Sequence, residues 1–272
     1  MIKRAEELRK DIKKKKIIAL LAPSYVAEFD FRNFRARLRK LGFRKIVELT
    51  FGAKLVNREY HKLLGKSEGL IISSVCSGVV DFIQKNMPAY GENLAKIDSP
   101  MIATAKICKK IFPEYKLCFI SPCNFKIIEA EKSGIIEYAL DYQELKKILP
   151  EKFGKNNKLD MFYNEYTRIY PLSGGLSKTA KLRGVLKNGE EKVIDGIAEV
   201  KKFLEKSEKR VKFLDCNFCA GGCIGGVYLS SKNIQEKREK VLEYLEAAKK
   251  ETISKINLKR LKKIDKIKFV GQ

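Results

Sequence analysis

The strongest constraint on this 272-residue chain is where its cysteines stand. Cys219 and Cys223 lie four apart within Asp215-Cys216-Asn217-Phe218-Cys219-Ala220-Gly221-Gly222-Cys223-Ile224-Gly225-Gly226. Glycines let backbone wrap closely on a bulky inorganic core and leave amides free to hydrogen-bond sulfide. Cys76 and Cys123 each follow a segment that reads as a strand, in Ser73-Ser74-Val75-Cys76-Ser77-Gly78 and Ser121-Pro122-Cys123-Asn124. In open α/β sheets, ligands bind at the carboxyl ends of strands. A cubane iron–sulfur cluster takes four thiolates, and these three segments supply four. Cys108 and Cys118 fall in a predicted helix and a predicted strand and read as packing residues. Cys216 stays open between two readings: half of a Cys216-x-x-Cys219 redox or zinc pair, or a spare thiol beside a cluster.

The remaining composition narrows the setting. A single histidine, His61, leaves no His-rich zinc site. Seven cysteines is an odd count for a disulfide framework, and the charged N-terminus (Lys3, Arg4, Glu6, Glu7, Arg9) carries no cleavable signal pattern. No apolar run nears the eighteen or so residues of a membrane span. A cytoplasmic protein is expected, with a thiolate-rich metal site. The formal net charge is +24, mostly from Lys scattered along the chain, with runs at Lys13–Lys16 and Lys259–Lys268. No nucleic-acid motif accompanies it, so it reads as a basic face for an acidic protein partner rather than for nucleic acid.

The periodicity is that of a single α/β domain. Residues 1–16 form an N-terminal helix with Ile2, Ala5, Leu8 and Ile12 on one face; residues 17–228 form a two-lobed core; residues 229–272 form a C-terminal helix and a basic tail. Strands are predicted at Ile17–Leu21, Lys45–Thr50, Leu70–Ser74, Lys116–Ser121 and Val211–Leu214. Helices are predicted at Asp30–Leu41, 54–65, 78–86, 101–111, Tyr142–Leu149 and 196–206. Phe51-Gly52-Ala53 is expected to be a turn and Ser173-Gly174-Gly175 a loop. Asn233 followed by Glu236 marks the start of the C-terminal helix. The expected fold is α/β: two lobes with mostly parallel twisted sheets flanked by helices, with a cofactor buried in the cleft between them.

Taken in order, these residues resemble the catalytic, H-cluster domain of the iron-only ([FeFe]) hydrogenases. The family's Thr-Ser-Cys-Cys-Pro run looks like Ser73 to Ser77. Its Pro-Cys-x-x-Lys-x-x-Glu is met by Pro122-Cys123-Asn124-Phe125-Lys126-Ile127-Ile128-Glu129, and its Cys-x-Gly-Gly-Cys by Cys219 through Gly226. Ala22-Pro23-Ser24, Phe51-Gly52-Ala53, Ser99-Pro100-Met101, Tyr170-Pro171-Leu172-Ser173-Gly174-Gly175 and Val193-Ile194-Asp195-Gly196 match in family order.

The resemblance implies a two-part cofactor. A [4Fe-4S] cluster would sit on Cys76, Cys123, Cys219 and Cys223. A diiron subcluster with CO, CN and azadithiolate ligands would hang from the shared Cys223 thiolate. Lys126 would donate to one cyanide, while Ala22, Pro23, Ser24, Ser99, Pro100, Pro122 and Asn217 would line the site. The implied activity is reversible H2 formation; the expected direction is evolution, with ferredoxin or another acidic carrier as donor and hydrogenase maturation enzymes as partners.

The departures from the pattern concern protons. The family's relay cysteine corresponds to Val75. Its relay glutamates fall near Tyr60 and Leu63, and its serine near Ala95. A customary methionine corresponds to Asn217 and a glutamine to Met101. Cys216, Tyr60, Glu59 and His61 are the substitute carriers to consider. The first cysteine is Cys76, so the ferredoxin-like clusters that precede this domain in many relatives have no counterpart in the given sequence. Two alternatives stand beside catalysis of H2 turnover: an H2-sensing hydrogenase of low turnover, and a Nar-type iron–sulfur assembly protein.

Overall fold

In the computed structural model the chain is described over residues 2–152, 154, 156–160, 166–206, 208, 210–248, 264 and 266–271. Among the described residues, seven strands form two sheets: β1 (Ile17–Leu21), β2 (Lys45–Glu48), β3 (Ile71–Ile72), β4 (Lys116–Ser121), β5 (Tyr138–Asp141), β6 (Glu191–Asp195) and β7 (Phe213–Asn217). One sheet has the order β2-β1-β4-β5 and the other β3-β7-β6. Every pairing is parallel. The helices are α1 (Ala5–Asp11), α2 (Phe34–Leu41), α3 (Thr50–Leu64), α4 (Ser77–Asn86), α5 (Pro100–Ile111), α6 (Asn124–Ser133), α7 (Tyr142–Ile148), α8 (Gly175–Ala180), α9 (Ile197–Lys206) and α10 (Ile234–Ala248).

Strand β1 is buried along its whole length because both of its faces are covered. Ile17, Ala19 and Leu21 pack with Leu8, Phe34, Leu145 and Val241, drawn from α1, α2, α7 and α10. Ile18 and Leu20 point the other way, into a cluster with Val56, Ile107 and Ile127 of α3, α5 and α6. That cluster also takes in Phe213 of β7 and Leu176 of α8, so the α3 layer serves both sheets. The far face of the smaller sheet, Ile72, Leu214 and Cys216, packs on α4 and α9 through Val79, Ile83, Val200 and Leu204.

Several expected boundaries shift. The N-terminal helix is only Ala5–Asp11, and the strand expected at Leu70–Ser74 contracts to Ile71–Ile72. Phe51-Gly52-Ala53 is not a turn but the first turn of α3. Gly52 stands there because a Cβ would meet Thr104 Oγ1 at 2.2 Å and the Pro100 carbonyl at 2.8 Å; α3 and α5 need that close approach. Ser173-Gly174-Gly175 runs into α8, and strands β5 and β6 are additions. Of the expected basic tail at 259–268, only residues 264 and 266–268 lie within the described residues. Among the described residues, no helix is long and apolar enough to cross a membrane.

A buried ion pair ties α10 to the larger sheet. Glu48, at the end of β2, and Arg168 are both fully enclosed. Glu48 Oε2 accepts from Arg168 Nε at 3.3 Å and from Thr50 Oγ1 at 3.1 Å, while Oε1 accepts from the Tyr244 hydroxyl. The Arg168 guanidinium lies 3.9 Å above the Tyr244 ring centroid and donates to the Tyr244 carbonyl at 3.2 Å. Removing one partner of such a pair strands the other charge in a dry interior. Glu48→Gln is therefore expected to lower the urea-unfolding free energy of the cluster-free protein by about 3 kcal/mol. A loss of under about 1 kcal/mol, the range of an exposed pair, would contradict this account.

Candidate metal-cluster site

Parallel pairing aligns the carboxyl ends of the strands within each sheet, and each cysteine segment leaves from one such end. Strand β4 ends at Ser121. The Ser121 hydroxyl donates to the Cys123 carbonyl at 2.7 Å and accepts from the Cys123 amide at 3.2 Å, a tight turn that delivers Cys123 as the residue before α6. Strand β3 continues through Ser73, whose amide donates to the Leu214 carbonyl, and Cys76 stands immediately before α4. Strand β7 runs through Phe218 into the glycine-rich turn. There the Gly222 amide donates to the Cys219 carbonyl at 3.1 Å and the Cys223 amide to the Pro171 carbonyl at 2.7 Å. The Phe218 amide donates to Cys76 Sγ at 3.5 Å, and the Phe125 and Phe218 rings meet at 4.8 Å. All three segments are thus laced to one another.

The four cysteines feel one another. Burial pushes the Cys223 thiol well up, and Cys76, Cys123 and Cys219 add to the shift against a smaller opposing effect of Lys126. Cys219 is pushed up to about 11 by burial and then by Cys76 and Cys123. Burial also raises Cys123, with the Lys126 amide hydrogen-bonding its sulfur in opposition. Without a cation, Cys123, Cys219 and Cys223 stay protonated. A metal that binds must displace the protons and supply the charge that four clustered thiolates lack. Among the described residues, no three His, Cys, Asp or Glu side chains converge as tightly as a single ion requires. Four cysteines on three neighbouring segments are the donor set that a cubane cluster would take.

Lys126 is not a surface lysine: its side chain is only 14% exposed. Its Nζ donates to Glu129 Oε2 at 2.5 Å, and the same oxygen accepts from Ser77 Oγ at 2.5 Å, joining α6 to α4 between Cys123 and Cys76. The turn Pro23–Ala27, which carries Ser24 after Ala22, packs against the turn Gly222–Gly225 that carries Cys223. Ser24 Oγ shares a 2.8 Å hydrogen bond with the Tyr142 hydroxyl. Burial, and more weakly Cys223 and Cys123, hold that hydroxyl protonated, and the bond to Ser24 ties Tyr142 to the turn that packs on Gly222–Gly225. Sequence reasoning missed it because its partner is 118 residues away.

The remaining expected residues divide. Pro122 is within reach: its carbonyl would lie 2.7 Å from a Cβ on Gly226. Asn217 ends β7 and is buried. Ser99 caps α5, accepting from the Ile102 amide at 3.4 Å, and Pro100 packs toward Gly52 of α3; no hydrogen bond ties either to a cysteine segment. Cys216 faces the α4–α9 side, with Ser73 Oγ at 3.8 Å and with Asp215 and Cys76 acting on it electrostatically. Cys108 and Cys118 are core residues.

With this geometry in hand, comparison with known proteins is decisive at the level of family. The family described as "Iron only hydrogenase large subunit, C-terminal domain" matches residues 15–227. The chain belongs to this family. Iron hydrogenase 1 of Clostridium pasteurianum is 26% identical over 250 residues, spanning 70% of this chain and 44% of that protein. The chain thus covers less than half the length of that relative. A solved [FeFe]-hydrogenase, studied for oxygen inactivation through its H cluster 2Fe subcluster, superposes with a TM-score of 0.69 at 16% identity, covering 96% of this chain and 93% of the other. An [FeFe]-hydrogenase variant from Chlamydomonas reinhardtii gives a TM-score of 0.67 at 16% identity, with the same two coverages. These likenesses establish the α/β fold with its parallel sheets.

Two predictions follow from the local geometry. Gly222 has φ +77°, and a Cβ there would stand 2.5 Å from the Pro171 carbonyl. Because L side chains resist that conformation and backbone cannot yield, Gly222→Ala should displace Cys223. Anaerobic reconstitution of this variant is expected to give less than about a tenth of the wild-type charge-transfer absorbance; wild-type absorbance would contradict the close fit. The second concerns Asp215, on β7, which sequence reasoning did not single out. Burial pushes its carboxyl from 3.8 to about 6, although the Ser177 amide donates to Oδ2 at 2.9 Å. The folded chain therefore binds this proton more tightly than the unfolded chain does, and stability falls as pH rises from about 4 to about 6, by roughly 3 kcal/mol in all. Asp215→Asn should remove that slope from urea-unfolding curves of the cluster-free protein. Identical slopes in the two proteins would contradict it.

Proposed function

We propose that this chain is an iron-only hydrogenase that interconverts protons, electrons and H2 on an H-cluster, working chiefly toward H2. The observation that carries the reading is the set of four mutually interacting cysteines at the ends of β3, β4 and β7, with Lys126 enclosed beside them. Cys76, Cys123, Cys219 and Cys223 would hold a [4Fe-4S] cluster, with the Cys223 thiolate shared with the diiron unit. When bound, that cofactor would supply the redox-active metal at which H2 is made or split, with the electrons coming from the donor.

The chain's own residues hold and tune it. Lys126, kept in place by Glu129, would donate to a cyanide and fix the orientation of the diiron unit. Ser24, held by Tyr142, would close the opposite side together with Ala22 and Pro23. Burial at these positions excludes water, which strengthens each of these interactions. The net charge of +24 suits a ferredoxin or another acidic electron carrier. A second reading, H2 sensing at low turnover, is favoured by one observation: Val75, buried in the apolar core, stands where the family places a proton-carrying cysteine.

The test is to express the chain without oxygen, load it with a diiron mimic, and record infrared spectra and H2 output from reduced viologen. Carbonyl and cyanide bands with H2 production are expected. A cubane signal with no such bands after loading would contradict the proposal and favour the assembly-protein alternative. Lys126→Ala is expected to lower H2 output by about 100-fold, the scale of losing one preorganised donor. Val75→Cys separates the two readings: a severalfold rise in rate points to a chain limited by proton supply, whereas an unchanged rate means that protons travel elsewhere.

A further inference from the structure

The carriers considered from sequence do not connect. The Tyr60 hydroxyl shares a 3.0 Å hydrogen bond with Ser74 Oγ and accepts from the Ser74 amide at 2.8 Å, while Ser74 Oγ donates to the Ile97 carbonyl at 3.1 Å. That chain ends on a backbone carbonyl, which cannot pass a proton on. Glu59 is ion-paired with Lys62, and His61 is exposed on α3. Cys216 is sealed in the apolar cluster under α4 and α9.

A different set of polar groups lies on the opposite face of the smaller sheet. In the parallel register Glu191 pairs with Phe213 and Val193 with Asp215. Because side chains alternate, Glu191 and Asp215 share one face as diagonal neighbours on adjacent strands. Asp215 is only 2% exposed. Glu191, on the edge strand β6, is half-buried, yet its Oε1 is enclosed and has no hydrogen-bond partner in the protein. It therefore spans from solvent to interior. The Tyr170 hydroxyl is likewise enclosed and unpartnered. Tyr170 packs on the start of α8, where a Cβ on Gly175 would meet its Cα at 2.6 Å, two residues before the Ser177 that holds Asp215. On its other side, the adjoining Pro171 carbonyl accepts the Cys223 amide. The electrostatics agree: Glu191 acts on Asp215, and Asp215 and Cys223 both act on Tyr170. Enclosed polar atoms without protein partners are where proteins keep ordered water.

We propose that Glu191, Asp215 and Tyr170, joined by enclosed water, form the route by which protons pass between solvent and the Cys223 side of the cluster site. The inference rests on the hydrogenase reading and supplies the relay that Val75, Leu63 and Ala95 cannot. Glu191 takes a proton from solvent. Asp215 receives one from the Glu191 side as it releases its own toward Tyr170. The Tyr170 oxygen accepts that proton on a lone pair and gives up its hydroxyl hydrogen toward Cys223. Rotation of the hydroxyl and the carboxyl restores each group, so every carrier ends as it began and no electrons move along the chain. The groups facing Asp215 are Glu191 from β6, Ser177 and Lys178 from α8, Tyr60 from α3, and Tyr170.

Two measurements on the 272-residue chain test the route. The first needs no cofactor. Difference infrared spectra of the apoprotein across neutral and acid pH should show a buried carboxylic acid band titrating near pH 6, absent in Asp215→Asn. That band should shift in Tyr170→Phe and in Glu191→Gln, because both alter its hydrogen-bonded surroundings. A band indifferent to both substitutions would overturn the connection, whatever the chain catalyses. The second uses the diiron-loaded protein. Asp215→Asn is expected to slow H2 evolution by about 100-fold, and Tyr170→Phe by about tenfold or more. In each variant the infrared bands of the loaded cofactor and the KM for the electron donor should stay unchanged, while the solvent isotope effect rises. Glu199→Gln, on the exposed face of α9, should keep the wild-type rate. An active wild type whose Asp215→Asn and Tyr170→Phe variants keep its rate and isotope effect would overturn the relay alone. A wild type that takes up the diiron unit but makes no H2 would overturn the proposed function, and the relay with it.

Discussion

Thiols gathered in a buried place resist ionisation, and the rest of this structure depends on how that resistance is overcome. Burial and mutual proximity hold the protons on Cys219, Cys223 and Cys123. A cationic core bound there would displace those protons. The fold serves that end: two all-parallel sheets bring their carboxyl ends to one place, so three strands deliver four cysteines on short, rigid connections. The glycine-rich turn after β7 then folds back on Pro171 at a distance that no larger residue permits.

Around this centre the chain arranges two kinds of support. Lys126, Glu129 and Ser77 form a charged bracket between α6 and α4, and Ser24 with Tyr142 forms a neutral one across from it. Farther out, Glu48, Arg168 and Tyr244 lock α10 onto the larger sheet. The same helix packs against the turn Pro23–Ala27, so the outer lock bears on the wall that carries Ser24. Stability and site geometry are therefore coupled through a few buried polar contacts set within a large apolar interior.

Much of this was legible in the sequence, for identifiable reasons. β1 and β4 are continuous apolar runs, as strands covered on both faces must be. The glycines around Cys219 and Cys223 and the prolyl turn before Cys123 marked sharp changes of direction. What escaped was either short or non-local. Strand β6, Glu-Lys-Val-Ile-Asp, lies at a sheet edge and has the composition of a loop. Gly52 looked like a turn residue but serves helix–helix contact. The enclosure of Lys126 depends on a carboxylate whose other partner lies on a different helix. The polar face of β7 reads as an ordinary alternation until the register sets Asp215 beside Glu191. No local pattern encodes that neighbour, because it arises only when two strands, a short helix and a loop meet.

The account stands or falls on the four cysteines as one cluster site. The most direct measurement is the iron content and low-temperature EPR spectrum of the protein reconstituted without oxygen and before any diiron unit is added. It should be compared with single Cys→Ser variants at all seven cysteines. The account predicts four irons per chain and the signal of a reduced [4Fe-4S] cluster. Both should be lost or altered by substitution at Cys76, Cys123, Cys219 or Cys223 and kept by substitution at Cys108, Cys118 or Cys216. A cluster that survives loss of any of the first four unchanged, or one that requires Cys216, would contradict it.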